Sequence, residues 1–302
     1  MNKSALLQLL LAMAIFGSIG FFSRHAGLPA LELVFARCLC AIVFLFAAWM
    51  LSGSFKRERW SAKETALIAA CGVTNVMNWI FLFKSFELIS VTIAISLYHL
   101  APVLVLLAGS FLFRDRLRTG AVIALAGCFA GTLLLIGADG FRASAPDCRG
   151  MLYAVAAAFF YAATMLLGRT VRRTSVYATT LIQMLIGALV LLPFVRFTSY
   201  AGLDASQWRF AVLTGVIHTG FVYLLFFRSI RHLPSAAVSL LVFVDPAVAI
   251  LLDVGVTGFR PDALQTAGIL LLFGSLIGAL AGPLLRKERR GGAGLPLEGE
   301  PP

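Results

Sequence analysis

Asp245 is followed by Pro246 and lies about 11 residues from either end of an apolar run, residues 234–255. On a helix that is roughly 16 Å from each end, at ~1.5 Å per residue. The proline removes a backbone donor and loosens any helix it interrupts. Three roles are open to a carboxylate there: binding a substrate ammonium, carrying a proton, or joining helices as a neutral or ion-paired group. His99 follows Tyr98 and precedes Pro102 by three residues. It suits a proton relay or an interhelical hydrogen bond. Asn75, Asn78 and Trp79 stand at i, i+3 and i+4, so a helix would put them on one face. His218, Thr219 and Tyr223 form a matching set later in the chain. Amides and rings together suit an amino-acid-like or aromatic ligand, and the same groups also join helices. Arg37 can attract a substrate carboxylate or reach out of an apolar segment to its interface. Tyr161, Thr164 and Gln183 read as packing groups.

The elements that carry these residues follow from composition. Hydrophobic residues make up 60% of the 302 and charged residues 13%, whereas soluble domains run near half and a quarter. The excess falls into ten blocks: 5–22, 30–51, 64–86, 91–113, 119–137, 151–168, 176–197, 208–227, 234–255 and 263–285. About 20 apolar residues cross a bilayer core as a helix. Lipid offers no partner to open backbone, and the blocks lack the alternation of a membrane β-strand. The fold class expected is therefore an all-α polytopic membrane protein with ten transmembrane helices. Asp245, His99, Asn75 and His218 then lie at mid-depth, and Arg37 is ~9 Å from one end of its span. The first block is too long for a secretory h-region and lacks a clear cleavage site, so it is expected to stay as a span.

Lys and Arg crowd alternate loops. Lys56, Arg57, Arg59 and Lys63 fall on one side with Arg114, Arg116, Arg118, Arg172, Arg173, Arg231 and the segment 286–290. The positive-inside rule makes that side cytoplasmic and puts both termini there, in a plasma membrane or a bacterial inner membrane. The same placement accounts for the net charge of +11 without nucleic acid as a partner, through anionic lipid headgroups. No zinc-ligand spacing, GxxxxGK[ST] loop, HExxH pair or GxSxG elbow occurs. No cofactor, metal or enzymatic activity is expected, and ATP-driven transport by this chain alone is disfavoured. Four of the five cysteines lie in the blocks and Cys148 stands alone in a loop, so no disulfide framework is implied. Gly127 and Gly131, then Gly274, Gly278 and Gly282, have a spacing that lets helices approach closely, within one chain or in a homodimer. The tail after Arg290 is rich in Gly and Pro and reads as disordered.

A shift of 144 residues lays the fourth block on the ninth without a gap. Phe83-Lys84-Ser85 meets Phe227-Arg228-Ser229, Leu97 meets Leu241, Pro102 meets Pro246 and Leu107 meets Leu251. Five blocks per half is an odd number, so the halves enter the membrane from opposite sides as inverted repeats. The chain resembles the EamA family of the drug/metabolite transporter superfamily. The likeness rests on Ala14-Ile15-Phe16-Gly17-Ser18, Phe35-Ala36-Arg37, the prolines of Ala101-Pro102 and Asp245-Pro246, and Arg114-Asp115-Arg116-Leu117 with Gly120 and Gly127. It departs from the family at Gly258-Phe259-Arg260, where an acidic residue is usual. The first span also lacks the Glu of the small multidrug antiporters, which argues against their mechanism. The resemblance implies repeats at 1–137 and 138–285 before a basic tail at 286–302. It also implies helices around a central cavity, and export of amino acids or related small metabolites. Two other classes remain on the residues alone: an intramembrane enzyme acting on lipids, and a channel.

Overall fold

The computed structural model describes residues 2–58, 60–89, 91–113, 119–136, 145–252, 255–256 and 260–291. Arg59, Arg114-Asp115-Arg116-Leu117, Asp253, Gly258-Phe259 and the tail from residue 292 lie outside them. The described chain is helical, with no strand among the described residues. Helices α1 (Lys3–Phe16) and α2 (Ile19–Ala26) form one broken passage, followed by α3 (Ala30–Leu51) and α4 (Ala62–Leu88). Next come α5 (Val91–Tyr98), α6 (Leu100–Phe113) and α7 (Thr119–Ile136). The second half holds α8 (Ala145–Thr170) and α9 (Val176–Leu191), then α10 (Ala205–Gly215), a π turn (Val216–Phe221) and α11 (Val222–Ile230). It ends with α12 (Ser235–Leu241), α13 (Val244–Leu252) and α14 (Ala263–Gly291).

Seven helical passages among the described residues are long and apolar enough to cross a membrane. Leu100–Phe113, Val122–Leu134 and Ala263–Ser275 are apolar but shorter. Of the ten expected spans, seven are therefore candidates among the described residues. The breaks have identifiable causes. A proline ring clashes with the carbonyl four residues earlier, which is Tyr98 for Pro102 and Val242 for Pro246. Accordingly α5 ends at Tyr98, and α12 ends at Leu241 with Val242 as its cap. Each proline is the third residue of the helix that restarts, where its missing N–H costs nothing. Between α1 and α2, Ser18 turns its hydroxyl onto the Ile15 carbonyl at 2.8 Å.

Helix pairing obeys the 144-residue relation. α4 packs on α8 as α11 packs on α1; α4 packs on α9 as α3 packs on α10; α6 packs on α8 as α13 packs on α1. α3 with α9, α6 with α12, and α7 with α14 each join a helix to its own counterpart. Lys84 lines a cleft with Glu32 and Arg196 at one end of the bundle. Its counterpart Arg228 is exposed near Arg231 at the other end. Large apolar side chains such as Val43, Phe111, Leu152, Phe159, Leu189 and Leu270 are more than half exposed on helix flanks. That is the surface expected to face lipid tails rather than water.

Small residues set a close crossing of α7 on α14. A Cβ at Gly131 of α7 would lie 2.7 Å from both the Gly268 carbonyl oxygen and the Leu272 amide nitrogen of α14. Gly127 is blocked likewise by Ser275. Gly274 and Gly278 meet nothing within 4 Å. Gly127 and Gly131 of α7 are therefore used inside the chain, and those two of α14 are not. Gly131→Val is expected to cost about 1–3 kcal/mol by overpacking, read as a lower melting temperature in detergent. Gly274→Val is expected to stay within about 0.5 kcal/mol. Equal losses at both positions would contradict this packing.

Candidate functional site

Trp79 and Tyr223 are 144 residues apart and occupy equivalent places in the two halves. The Trp79 indole N–H donates to the Tyr223 hydroxyl at 3.0 Å, and the rings meet edge to face with centroids 5.3 Å apart. The Tyr223 hydroxyl donates in turn to Asn75 Oδ1 at 3.0 Å. Asn75, Trp79 and Phe83 share one face of α4 because they are spaced by four residues. Asn75 Nδ2 has no hydrogen-bond partner among the described residues.

Arg37 lies across this face. It is 0% exposed, so it does not reach the interface, and of its two readings from sequence only the buried one is compatible. Its guanidinium carbon sits 4.6 Å from the Trp79 ring centroid and 5.4 Å from that of Phe83. Nε donates to Thr219 Oγ1 at 3.0 Å, while Nη1 and Nη2 have no partner among the described residues. Its titratable neighbours are Tyr223, Cys38 and Tyr98, and no carboxylate among the described residues is hydrogen-bonded to Nη1 or Nη2. The π turn supplies Thr219. It widens the helix by one residue, and the Thr219 hydroxyl donates to the carbonyl of Thr214, five residues back, at 3.0 Å. Gly215 leaves room for it, since a Cβ there would lie within 3.3 Å of Arg37 backbone.

Aromatic rings extend the cluster. Phe16 stands edge-on to Tyr223 at 5.4 Å, and Tyr161 stacks on Tyr98 at 4.9 Å and on Phe226 at 6.3 Å. Asp245 is half-buried on α13, within electrostatic reach of Tyr98 and Tyr161. Asn78 is fully buried and interacts with Tyr98 at a geometry looser than the hydrogen bonds given above. His218 accepts or donates with the Ser18 hydroxyl at 2.8 Å, packs on Phe22 and is within electrostatic reach of Arg37. His99 is turned elsewhere: its Nδ1 meets the Ile95 carbonyl at 2.6 Å and its ring packs on Phe243. Thr164 is a packing group, bonded to Thr74 and to the Phe160 carbonyl. Gln183 is fully buried with both amide atoms unpartnered among the described residues.

Arg37, Asn75, Trp79 and Tyr223 are thus brought into direct contact. Asn78, His218 and Asp245 stand around them, and His99 stands apart. Sequence reasoning missed Phe83, Phe16 and Phe226, and it gave Tyr161 to packing alone. The match of Phe83-Lys84-Ser85 with Phe227-Arg228-Ser229 is the signal that pointed to Phe83.

The two ends of the bundle differ. At one, the Glu64 carboxylate of α4 accepts backbone N–H groups from Arg172, Arg173 and Thr174 and the Thr174 hydroxyl, at 2.9–3.1 Å. Glu58 accepts from the Ser175 N–H, and Arg231 donates to the Thr174 carbonyl and to Thr179. Burial lowers the Arg231 guanidinium to about 10, against an opposing pull from Glu64, so it keeps its charge at neutral pH. At the other end, an open cleft of about 390 Å³ is lined by Ser23, Arg24, Leu33, Phe83 and Glu87. A neighbouring cleft of about 300 Å³ shares Pro29, Ala30 and Glu87 with it. Phe83 therefore touches both the cleft and Arg37.

Comparison with known proteins agrees with this architecture. The family description "EamA-like transporter family" matches twice, over residues 3–137 and 148–281. A Bacillus subtilis (strain 168) protein named "Uncharacterized transporter YxxF" is 48% identical over 299 residues, covering 99% of this chain and 94% of that protein. A solved crystal structure superposes with a TM-score of 0.79 at 22% identity, over 95% of this chain and 99% of the other, a likeness of fold. These names are those of transporters rather than enzymes. With two matched repeats, apolar helices throughout and a relative of nearly equal length, the chain belongs to the EamA-like transporter family of multi-pass membrane proteins.

Proposed function

We propose that the chain is a secondary transporter that exports small metabolites, amino acids or related compounds, by alternating access across ten spans. The halves, 1–137 and 138–285, rock against each other about the Trp79–Tyr223 contact. The substrate binds beside it, among Arg37, Asn75, Asn78, Trp79, His218, Tyr223 and Asp245. His99 belongs to the support of the α5–α6 break rather than to the substrate. The carrying observation is the asymmetry of the two ends. Glu64 and Glu58 of the first half bind the 172–175 segment of the second, while the opposite end opens a cleft down to Phe83. A carrier caught closed on one side and open on the other has that form. The closed end carries Lys56, Arg57, Arg172, Arg173 and Arg231, which on the positive-inside rule makes it cytoplasmic.

Purified protein in liposomes, tested with amino acids, amines and sugars, is expected to give saturable flux that is stimulated by substrate on the far side. Flux that rises linearly with concentration, without counterflow, would point to a channel and against this reading. The closed end gives a second expectation. Val171 is 0% exposed beside the Glu64-bound segment. With Cys40 and Cys148 replaced, a Val171→Cys protein is expected to react slowly with maleimide. Adding Glu64→Gln, which removes the charge that holds three backbone N–H groups, is expected to raise that rate several-fold. An unchanged rate would show that Glu64 does not hold this end closed.

A further inference from the structure

We propose that Arg37 is the recognition site for a carboxylate on the substrate. The compound taken up at this site is then an organic acid anion with an apolar or aromatic body. The inference rests on the transporter reading above and names the substrate chemistry of the same site.

The argument is one of charge and exposure. A guanidinium with no exposure at the depth of Trp79 loses its hydration, and burying an ion is costly even after relaxation. Two favourable contacts offset part of that cost, the cation–π contact with Trp79 and the hydrogen bond to Thr219. No carboxylate among the described residues is paired with Nη1 or Nη2. Glu64 shows the contrast: its carboxylate accepts from three successive backbone N–H groups. Arg37 is fully buried with Nη1 and Nη2 both unpartnered among the described residues.

The free atoms define the ligand. Nε is taken by Thr219 and the guanidinium lies across the rings of Trp79 and Phe83. What remains is the Nη1/Nη2 edge, all donors and no acceptor. Asn75 adds a third free donor, its oxygen being used by Tyr223. A set of donors with net positive charge selects an acceptor with negative charge. Two parallel N–H groups on a planar fork match the two oxygens of a carboxylate. Trp79 and Phe83 lie against the guanidinium, and Tyr223, bonded to Trp79, carries Phe16 and Phe226 against its own ring, which favours an apolar or aromatic body on the acid. Phe83, shared by the cleft and Arg37, stands where the acid must pass.

The test uses the full chain in detergent and in liposomes, with four probes of one shape: 3-phenylpropionate, its neutral amide, the matching phosphonate, and the matching primary ammonium. In the wild-type protein the carboxylate is expected to raise the melting temperature and to bind at least about tenfold more tightly than the amide. Arg37→Gln and Thr219→Val are expected to reduce that preference, with Arg37→Gln abolishing it and Arg37→Lys retaining part of it. Equal binding of acid and amide by the wild type overturns the proposal without relying on any variant. So does tighter binding of the phosphonate or the ammonium, or an Arg37→Gln protein that folds and keeps the acid preference. The transporter reading fails separately: its failure is a carboxylate that binds but shows no counterflow in liposomes. Saturable counterflow of a compound indifferent to Arg37 leaves the transporter and removes this site.

Discussion

The two halves of this protein touch at their centre through a pair of equivalent residues, Trp79 and Tyr223, and the rest of the structure is arranged around that hydrogen bond. Asn75 fixes the Tyr223 hydroxyl, so the contact has a defined direction. Arg37 rests on the Trp79 ring, and the π turn ahead of Tyr223 brings Thr219 to its Nε. Removing one member would leave others buried without partners, at about 1–3 kcal/mol for a neutral group and more for a charge. Such a polar knot is expensive to keep inside an apolar bundle, which is why its contents bear on function.

On the proposed alternating access the centre stays fixed while the ends move, and the helices around the knot are interrupted in keeping with that. Proline-set breaks interrupt the α5–α6 and α12–α13 passages at corresponding places, and Gly17-Ser18 interrupts the first. At Gly17 the backbone of α1 comes so near α13 that a Cβ would lie 2.6 Å from the Asp245 carbonyl oxygen. One end is drawn together by Glu64 and Glu58 on four successive backbone N–H groups, 172–175; the other joins the halves through the Arg196 N–H on Glu32 and holds open clefts. The helix pairs repeat under exchange of the halves, while the closing carboxylates do not: the positions 144 residues after Glu58 and Glu64 hold Gly202 and Trp208.

Much of this was legible in the residues. The apolar blocks fixed the helical class, and the prolines at 102 and 246 fixed where two passages break, because a ring without an N–H acts in any surroundings. The 144-residue shift identified the partners that meet at the axis, and the i, i+4 spacing put Asn75 and Trp79 on one face. Other features depend on the fold. Nothing in Val216–Phe221 announces a π turn, since its extra residue is accommodated by Gly215 packing on Arg37 and Gly220 on Phe44, contacts from α3. Arg37 had two fates that differ only in which neighbours surround it. Phe226 looks like any lipid-facing ring, and Tyr161 like any packing group, until α8 and α11 are packed together. Among the described residues seven of the ten expected blocks stand as candidate spans.

The central claim is that the halves exchange closure between two ends while Trp79 and Tyr223 stay joined. Spin labels read it directly by pulsed electron–electron distance measurement. One pair spans the cleft end, at Glu87 and Ser199; a second spans the closed end, at Lys56 and Arg172; a third flanks the axis, at Val73 and Leu224. In liposomes, across substrate and gradient conditions, the cleft pair is expected to shorten whenever the closed-end pair lengthens, with the axial pair unchanged. Distances at both ends that remain single and fixed, or an axial pair that moves as far as they do, would contradict the account.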